Sequence, residues 1–334
     1  MIENLVDKLR STKLSLPPEN ATNIQSAEVC EAAASALANL LSMHPLNARR
    51  LIAAEGVGVL LGLLSSNYSI DLLDTDKATL VQANVCNALA NTFCAMNENN
   101  ILSTVAQEST ASTFVMLCAS CLATARRAAC LVLGNLACNS RLRCELGRLG
   151  AIEAIWSISC KRHSKSECTT ALWALSNLVW SNRANQTRCG YFFEDAFALI
   201  AACRDFSCRH ETPPVCLMTC ASAINLIANA IHFHNLNCKR LGVIYGGVET
   251  LISLSKAGQP QSVREPAIRC LACLTATDTG AQRVALAKTS DDVYRILVFT
   301  ASDESLGGKN SIIRYYSACA LANMCSVIDA RMRL

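Results

Sequence analysis

The sequence predicts an all-α solenoid, a chain of stacked helical units without a sheet. Three observations carry that expectation. A short Asn-centred string returns seven times along the 334 residues. Between its copies, a Gly followed by apolar residues at helical spacing returns as well. The 14 Gly and 7 Pro are too few turn formers for an all-β chain of this length, which turns about every 8–12 residues.

The string first appears as Ala36-Leu-Ala-Asn39-Leu40, then as Ala88-Leu-Ala-Asn91-Thr92. Val132-Leu-Gly-Asn135-Leu136 and Trp173-Ala-Leu-Ser-Asn177-Leu178 follow. The last three are Leu226-Ile-Ala-Asn229-Ala230, Cys270-Leu-Ala-Cys273-Leu274 and Ala320-Leu-Ala-Asn323-Met324. The markers are 52, 44, 42, 52, 44 and 50 residues apart. That lies at and above the upper end of helical-solenoid periods, roughly 40–47 residues.

Each unit reads as a short helix, a corner, a second helix, a loop and a longer third helix ending near the marker. Gly56, Gly150 and Gly247 are the expected corners, each placed to cap or turn a helix end. The chain divides into a partial unit at 1–45 and six full units at 46–96, 97–139, 140–182, 183–233, 234–277 and 278–327. A short tail, 328–334, completes one repeat domain over 1–334. Three longer spacings insert between second and third helices, at Asn67–Lys77, Arg204–Pro214 and Asp303–Asn310. These read as loop drift, with a shared functional edge as the alternative.

A Gly-then-amphipathic helix followed by A-L-x-N-L resembles an armadillo repeat, and the resemblance covers nearly the whole chain. Cys273 is the one marker that departs from Asn. HEAT-type repeats lack both the recurrent Asn and the short first helix. The resemblance implies a right-handed superhelix of about seven repeats, with third helices on a concave face. It also implies that the marker Asn binds the backbone of a ligand.

On each third helix the positions −7, −4, 0 and +3 from the marker share one face. They supply Asn84, Asn87 and Asn91, then Ala128, Leu131 and Asn135, then Thr170, Trp173, Asn177 and Trp180. Ser222, Asn225 and Asn229 follow, then Arg269 and Cys273, then Tyr316, Cys319 and Asn323. Asn is a poor helix former, at up to about 0.7 kcal/mol per site against Ala, so its repetition asks for a use. The amide both donates and accepts, and so can pair with the main chain of an extended peptide. The competing reading is that these amides satisfy neighbouring backbone. Importin-alpha-like proteins repeat a Trp four residues before the Asn and set acidic residues beside it. Here only Trp173–Asn177 matches and the acids are absent, which disfavours a nuclear-import adaptor. Trp173 reads equally as a core aromatic.

Net charge is +4, too small to argue for nucleic acid. Between 126 and 165 lie Arg126, Arg127, Arg141, Arg143, Arg148, Lys161, Arg162 and Lys165, which would steer an acidic partner or simply form a solvated outer face. The 20 Cys sit mostly in apolar stretches and read as reduced thiols used for packing. Gly307-Gly308-Lys309 lacks the context of a phosphate loop, and His210-Glu211 has no partner. Cys118/Cys121 and Cys270/Cys273 have zinc-like spacing but lie in helical apolar runs. His232-Phe-His234 with Cys238 is the most metal-like cluster, and it lacks a fourth ligand. No catalytic residue, cofactor or metal is assigned.

The charged N-terminus and the absence of any apolar run near 18 residues suggest a cytoplasmic protein without membrane insertion, a nuclear or ciliary site being the alternative. The end at Arg331-Met-Arg-Leu334, close behind the last marker helix, suggests end-to-end self-association or a larger assembly. The expected function is a non-enzymatic scaffold that holds an extended segment of a partner protein, acidic or neutral, in an Asn-lined groove. A structural subunit of a large assembly such as a ciliary axoneme is the alternative.

Overall fold

The computed structural model describes residues 1–14, 22–42, 44–65, 75–95, 108–120, 122–160, 164–205, 214–285, 287, 290–303 and 311–332. Among them, helices and short turns account for the chain and no strand occurs. The contacts group the residues into two compact units, Met1–Leu178 and Val179–Leu334.

In the first unit, α1 (Ile2–Leu14) packs on α2 (Thr22–Leu41). Then come α3 (Pro45–Ala53), α4 (Gly56–Ser65) and α5 (Thr75–Ala95), followed by α6 (Glu108–Leu117) and α7 (Ala123–Leu136). The next three are α8 (Ser140–Arg148), α9 (Ala151–Cys160) and α10 (Lys165–Val179). The third helices stack in sequence, α2 on α5 and α5 on α7. In the second unit, α11 (Arg183–Cys189), a 3-10 turn at Gly190–Phe192, α12 (Phe193–Asp205) and α13 (Pro214–Ile231) lead. Next are α14 (Asn235–Val243), α15 (Gly247–Leu254) and α16 (Gln261–Thr275), then α17 (Asp278–Ala285), α18 (Ser290–Ser302) and α19 (Ser311–Met332). Here α13 packs on α16, and α16 on α19. The inserted segments 66–74, 206–213 and 304–310 lie outside the described residues, as do Lys161, Arg162, His210, Cys121 and Gly307 to Lys309.

The core is built from small and branched aliphatic residues. Cys86, Ala88, Ala128, Ala129, Cys130, Ala171, Ala174, Ala223 and Cys270 are wholly enclosed, which lets neighbouring helices come close. Burial pushes the Cys86 and Cys189 thiols up to about 12, so they are neutral packing groups. Cys94, Cys138, Cys144, Cys160 and Cys325 are exposed and do not fit a pure packing role.

The corners differ in register from the expectation. Gly150 does turn the chain, at φ +84°. In the other two units the left-handed residue is the one before the expected Gly: Glu55 at +55° and Gly246 at +70°. Gly56 and Gly247 instead open the second helices. At Gly56 the reason is space, because a Cβ would stand 2.5 Å from Leu51 Cδ1 and 2.9 Å from Val6 Cγ2.

Each helix ends in carbonyls with no partner in its own helix, and polar residues in phase with the repeat satisfy them. Nine residues before the marker, a third-helix side chain reaches the end of the second helix. Arg126 Nη1 donates to Ser120 O, Arg264 Nε to Ser255 O, Arg314 Nε to Ala301 O, and Cys168 Sγ to Ser159 O. Eight residues after the marker, a first-helix side chain reaches back to the end of the third. Asn47 Nδ2 donates to Leu40 O at 2.7 Å, Asn237 Nδ2 to Ala230 O at 2.9 Å, and Arg143 Nε to Ala137 O at 2.8 Å. First helices start on Asn139, Asn182, His234 or Thr277, each accepting a backbone N–H three residues on.

These bonds correct the reading of the basic run. Arg126 and Arg143 are buried, not solvated. Arg126 pairs with Glu167 at 2.7 Å, and Glu167 also closes a capping box with Ser164 at the start of α10. Arg148 pairs with Glu145 on the surface. The field available to steer an acidic partner toward this stretch is correspondingly smaller.

Candidate functional site: the marker faces of the third helices

The twelve face residues expected to bind a partner keep part of their side chains in solvent: Asn84, Asn87, Asn91, Asn135, Trp173 and Asn177 in the first unit, Trp180, Asn225, Asn229, Arg269, Tyr316 and Asn323 in the second, whereas Ala128, expected on the same face, does not. Ala128 and Cys270, on the same helices, are wholly buried.

The marker amides form a ladder. Asn91 Nδ2 donates to Ala38 O at 3.1 Å, Asn135 Nδ2 to Ala90 O at 2.8 Å, and Asn177 Nδ2 to Gly134 O at 3.1 Å. Asn323 Nδ2 reaches Ala272 O at 3.5 Å. Each time the acceptor is the residue just before the preceding marker. One amide N–H therefore holds repeat to repeat. This partly corrects a purely ligand-binding reading of the recurrent Asn, since the amides are also backbone partners. Asn84 and Asn87 make no such bond among the described residues.

Cys273, the marker that is not Asn, cannot offer an amide. Arg269, one turn earlier, makes the reach to α13 in its place. Its Nη2 bonds Asn225 Oδ1 at 2.9 Å and Asn229 Oδ1 at 3.0 Å, while its Nε is enclosed without a partner.

Trp173 combines the two roles considered for it. Its ring lies on Gly134, where a Cβ would stand 2.3 Å from Trp173 Cζ3, and it remains 37% exposed. Other units carry Ala or Ser at the position of Gly134. Gly134→Ala should cost about 1–3 kcal/mol by overpacking, or else turn Trp173 outward. Urea unfolding and a red-shifted Trp emission check the two outcomes.

Trp180 is 43% exposed and stacks on His232, with centroids 5.7 Å apart and planes 7° from parallel. His232 in turn touches Phe233, and its Nδ1 lies 3.6 Å from Cys273 Sγ. His232, Phe233, Cys273, Tyr315, Tyr316 and Cys319 border a cavity of about 370 Å³. The sequence places His232 in the metal-like cluster and not on the marker face, although it stands three residues after its marker, as Trp180 does. Phe233 and Tyr315 fall off the four-position face and carried no such signal.

The metal-like cluster separates. Both ring nitrogens of His234 are engaged, Nδ1 capping α14 (Asn237 N, 3.2 Å) and Nε2 meeting Thr187 Oγ1 at 3.0 Å. Cys238 Sγ donates to Ile231 O. Among the described residues no group of three His, Cys, Asp or Glu side chains could hold a metal. Burial raises the Cys273 thiol to about 11 against the pull of Arg269, so the His232–Cys273 pair does not hold an activated thiolate.

His234 gives the protein a pH dependence. Its Nδ1 accepts a backbone N–H, so the ring proton is on Nε2 and protonating the ring would break the cap. Burial lowers its pKa, as burial followed by the Arg269 charge lowers that of His232. A base whose folded pKa is depressed takes up its proton more readily when unfolded, so stability is lost as pH falls through the unfolded value, about 6.5. The melting temperature should fall between pH 7.5 and 5.5. His234→Asn, which caps without titrating, should flatten that slope.

No family model matches the sequence, and no curated protein is similar to it. Solved structures do match. A designed armadillo repeat protein in complex with the peptide (KR)4 aligns over 82% of this chain and 99% of its own, at TM-score 0.58 and 18% identity. The fold is an armadillo-like α-solenoid. An engineered protein aligns over 98% of this chain and 92% of its own, at TM-score 0.57 and 17% identity. A second designed armadillo repeat protein aligns over 97% and 100%, at TM-score 0.50 and 15% identity. At these identities the likeness is one of fold. No described helix is long and apolar enough to cross a membrane.

Proposed function

We propose that this protein is a non-enzymatic scaffold whose marker faces hold an extended segment of a partner protein. The observation that carries the reading is the pair Asn84 and Asn87. They lie half-buried beside Asn91 on α5, and their side chains form no hydrogen bond among the described residues. Asn is unfavourable in a helix, and here no structural bond offsets it. An extended peptide has unpaired N–H and C=O groups that such amides match. The designed protein bound to (KR)4 lends support as a likeness of architecture. This chain's face has no acidic residue for a basic peptide, which favours a neutral or acidic segment and speaks against importin-like cargo. Buried cysteines that form no disulfide among the described residues suit a reducing compartment, and a cytoplasmic site of action belongs to the proposal.

The test is capture of partners from a cell extract on the intact chain and on Asn84→Ala/Asn87→Ala, with cross-linking mass spectrometry to map contacts. The reading expects partners lost from the variant and cross-links near third helices. Partners retained in full by the variant, with contacts elsewhere, would overturn it. Asn177→Ala is a poorer probe because it also removes a rung of the ladder.

A further inference from the structure

We infer that the second unit selects its ligand by chemistry, taking an extended peptide in which a carboxylate side chain meets Arg269 and a nearby aromatic or large aliphatic side chain enters the cavity at His232, Phe233 and Tyr316. This rests on the proposed function and gives it a specificity. Three observations carry it.

First, Arg269 is a half-buried cation that forms no ion pair among the described residues. Its recorded partners are neutral oxygens of Asn225 and Asn229, and its Nε is enclosed with no acceptor. A guanidinium removed from water and held by amides alone is short of negative charge, and a carboxylate is its best-matched partner. No acidic residue stands among the face residues of α13, α16 and α19, and Glu265, one turn before Arg269 on α16, forms no ion pair with it.

Second, the cavity of about 370 Å³ beside Cys273 falls within the size of small ligand sites, about 300–1,000 Å³. Its rim carries aromatic rings turned to solvent. Phe233 is 88% exposed, held outward by a left-handed backbone at φ +52°, and Tyr315 is 65% exposed. Exposed rings around such a recess would bury an apolar side chain.

Third, the two features are spaced for one peptide. Arg269 lies on α16 one helical turn before Cys273, and the cavity at Cys273 is bordered by the end of α13 and the start of α14 as well as by α19. One turn rises about 5.4 Å, which is about two residues of extended chain.

The test is to pan a phage-displayed library of random dodecapeptides on the full chain, on Arg269→Gln and on Tyr316→Ala. The inference expects wild-type selection to enrich Asp or Glu about two residues from an aromatic or large aliphatic residue. Arg269→Gln should lose the acidic enrichment and keep the apolar one, and Tyr316→Ala the reverse. A selected peptide, resynthesised, should bind Arg269→Gln about tenfold or more weakly, and its binding to wild type should weaken with added salt. Far-UV circular dichroism and melting of each variant verify folding. If Arg269→Gln does not fold, the salt titration and Asp→Asn or Glu→Gln peptides on wild type decide the matter. Peptides enriched on the Asn84 and Asn87 face, without acidic preference or Arg269 dependence, would overturn the inference and leave the scaffold reading intact. Failure to select any peptide would overturn both.

Discussion

Arg126→Met should destabilise the protein by about 3–5 kcal/mol, seen as a lower urea midpoint at unchanged m-value. The reason is what the substitution leaves behind. Arg126 and Glu167 are both almost enclosed, and the pair is held by two bonds, Nε to Oε1 at 2.9 Å and Nη2 to Oε1 at 2.7 Å. The same guanidinium satisfies Ser120 O at the end of the second helix. Removing it strands a buried carboxylate and a carbonyl, and loosens the start of α10, where Glu167 and Ser164 cap each other. Replacing both partners, Arg126→Met with Glu167→Leu, should recover part of the loss because no charge is left unpaired. A double variant as unstable as the single one would show that packing, not charge, dominates this corner.

Asn237→Leu is the other large effect, at about 1–3 kcal/mol, because the buried Ala230 O is left without a donor and Gln186 O keeps only the Gly190 N–H. Asn237 has no exposed surface. Its Nδ2 donates both to Ala230 O, at the end of the preceding repeat's third helix, and to Gln186 O in that repeat's first helix at 2.6 Å. Its Oδ1 accepts from Arg240 at 3.2 Å. Gly190 is shaped around it, since a Cβ there would stand 2.1 Å from Asn237 Oδ1. Thermal unfolding should show the loss, and Gly190→Ala should reproduce much of it through crowding.

The helices were legible because each unit repeats its own punctuation. The marker string, the apolar spacing and the interval between them locate third helices within a few residues. The corners were legible only to within one residue. Glu55 shows why: a non-Gly residue can hold a left-handed φ when its neighbours enforce it, so the Gly need not sit at the turn. The phased caps were in the sequence as well, in Arg126, Arg264 and Arg314 at one offset and Asn47, Arg143 and Asn237 at another. Reading charge as a local sum hid them, because the partner of Arg126 lies 41 residues away.

The face residues were legible by rotation about the helix, but their bonds were not. Nothing in A-L-x-N-L says that one amide N–H is spent on the preceding helix, nor that Arg269 takes over where Cys273 stands. Gly134 opposite Trp173 was readable, since it is the one Gly at that offset. It needed the neighbouring helix to give it meaning.

The most direct test of the scaffold account is a paired measurement on Asn84→Ala/Asn87→Ala: its melting temperature and its affinity for a captured partner segment. Replacing two helix-disfavoured amides that hold no bond should leave the melting temperature unchanged or raise it, at up to about 0.7 kcal/mol per site, while affinity falls. That combination marks residues kept for binding at some expense of stability. A lower melting temperature with unaltered affinity would mean these amides serve the fold, and would contradict the account.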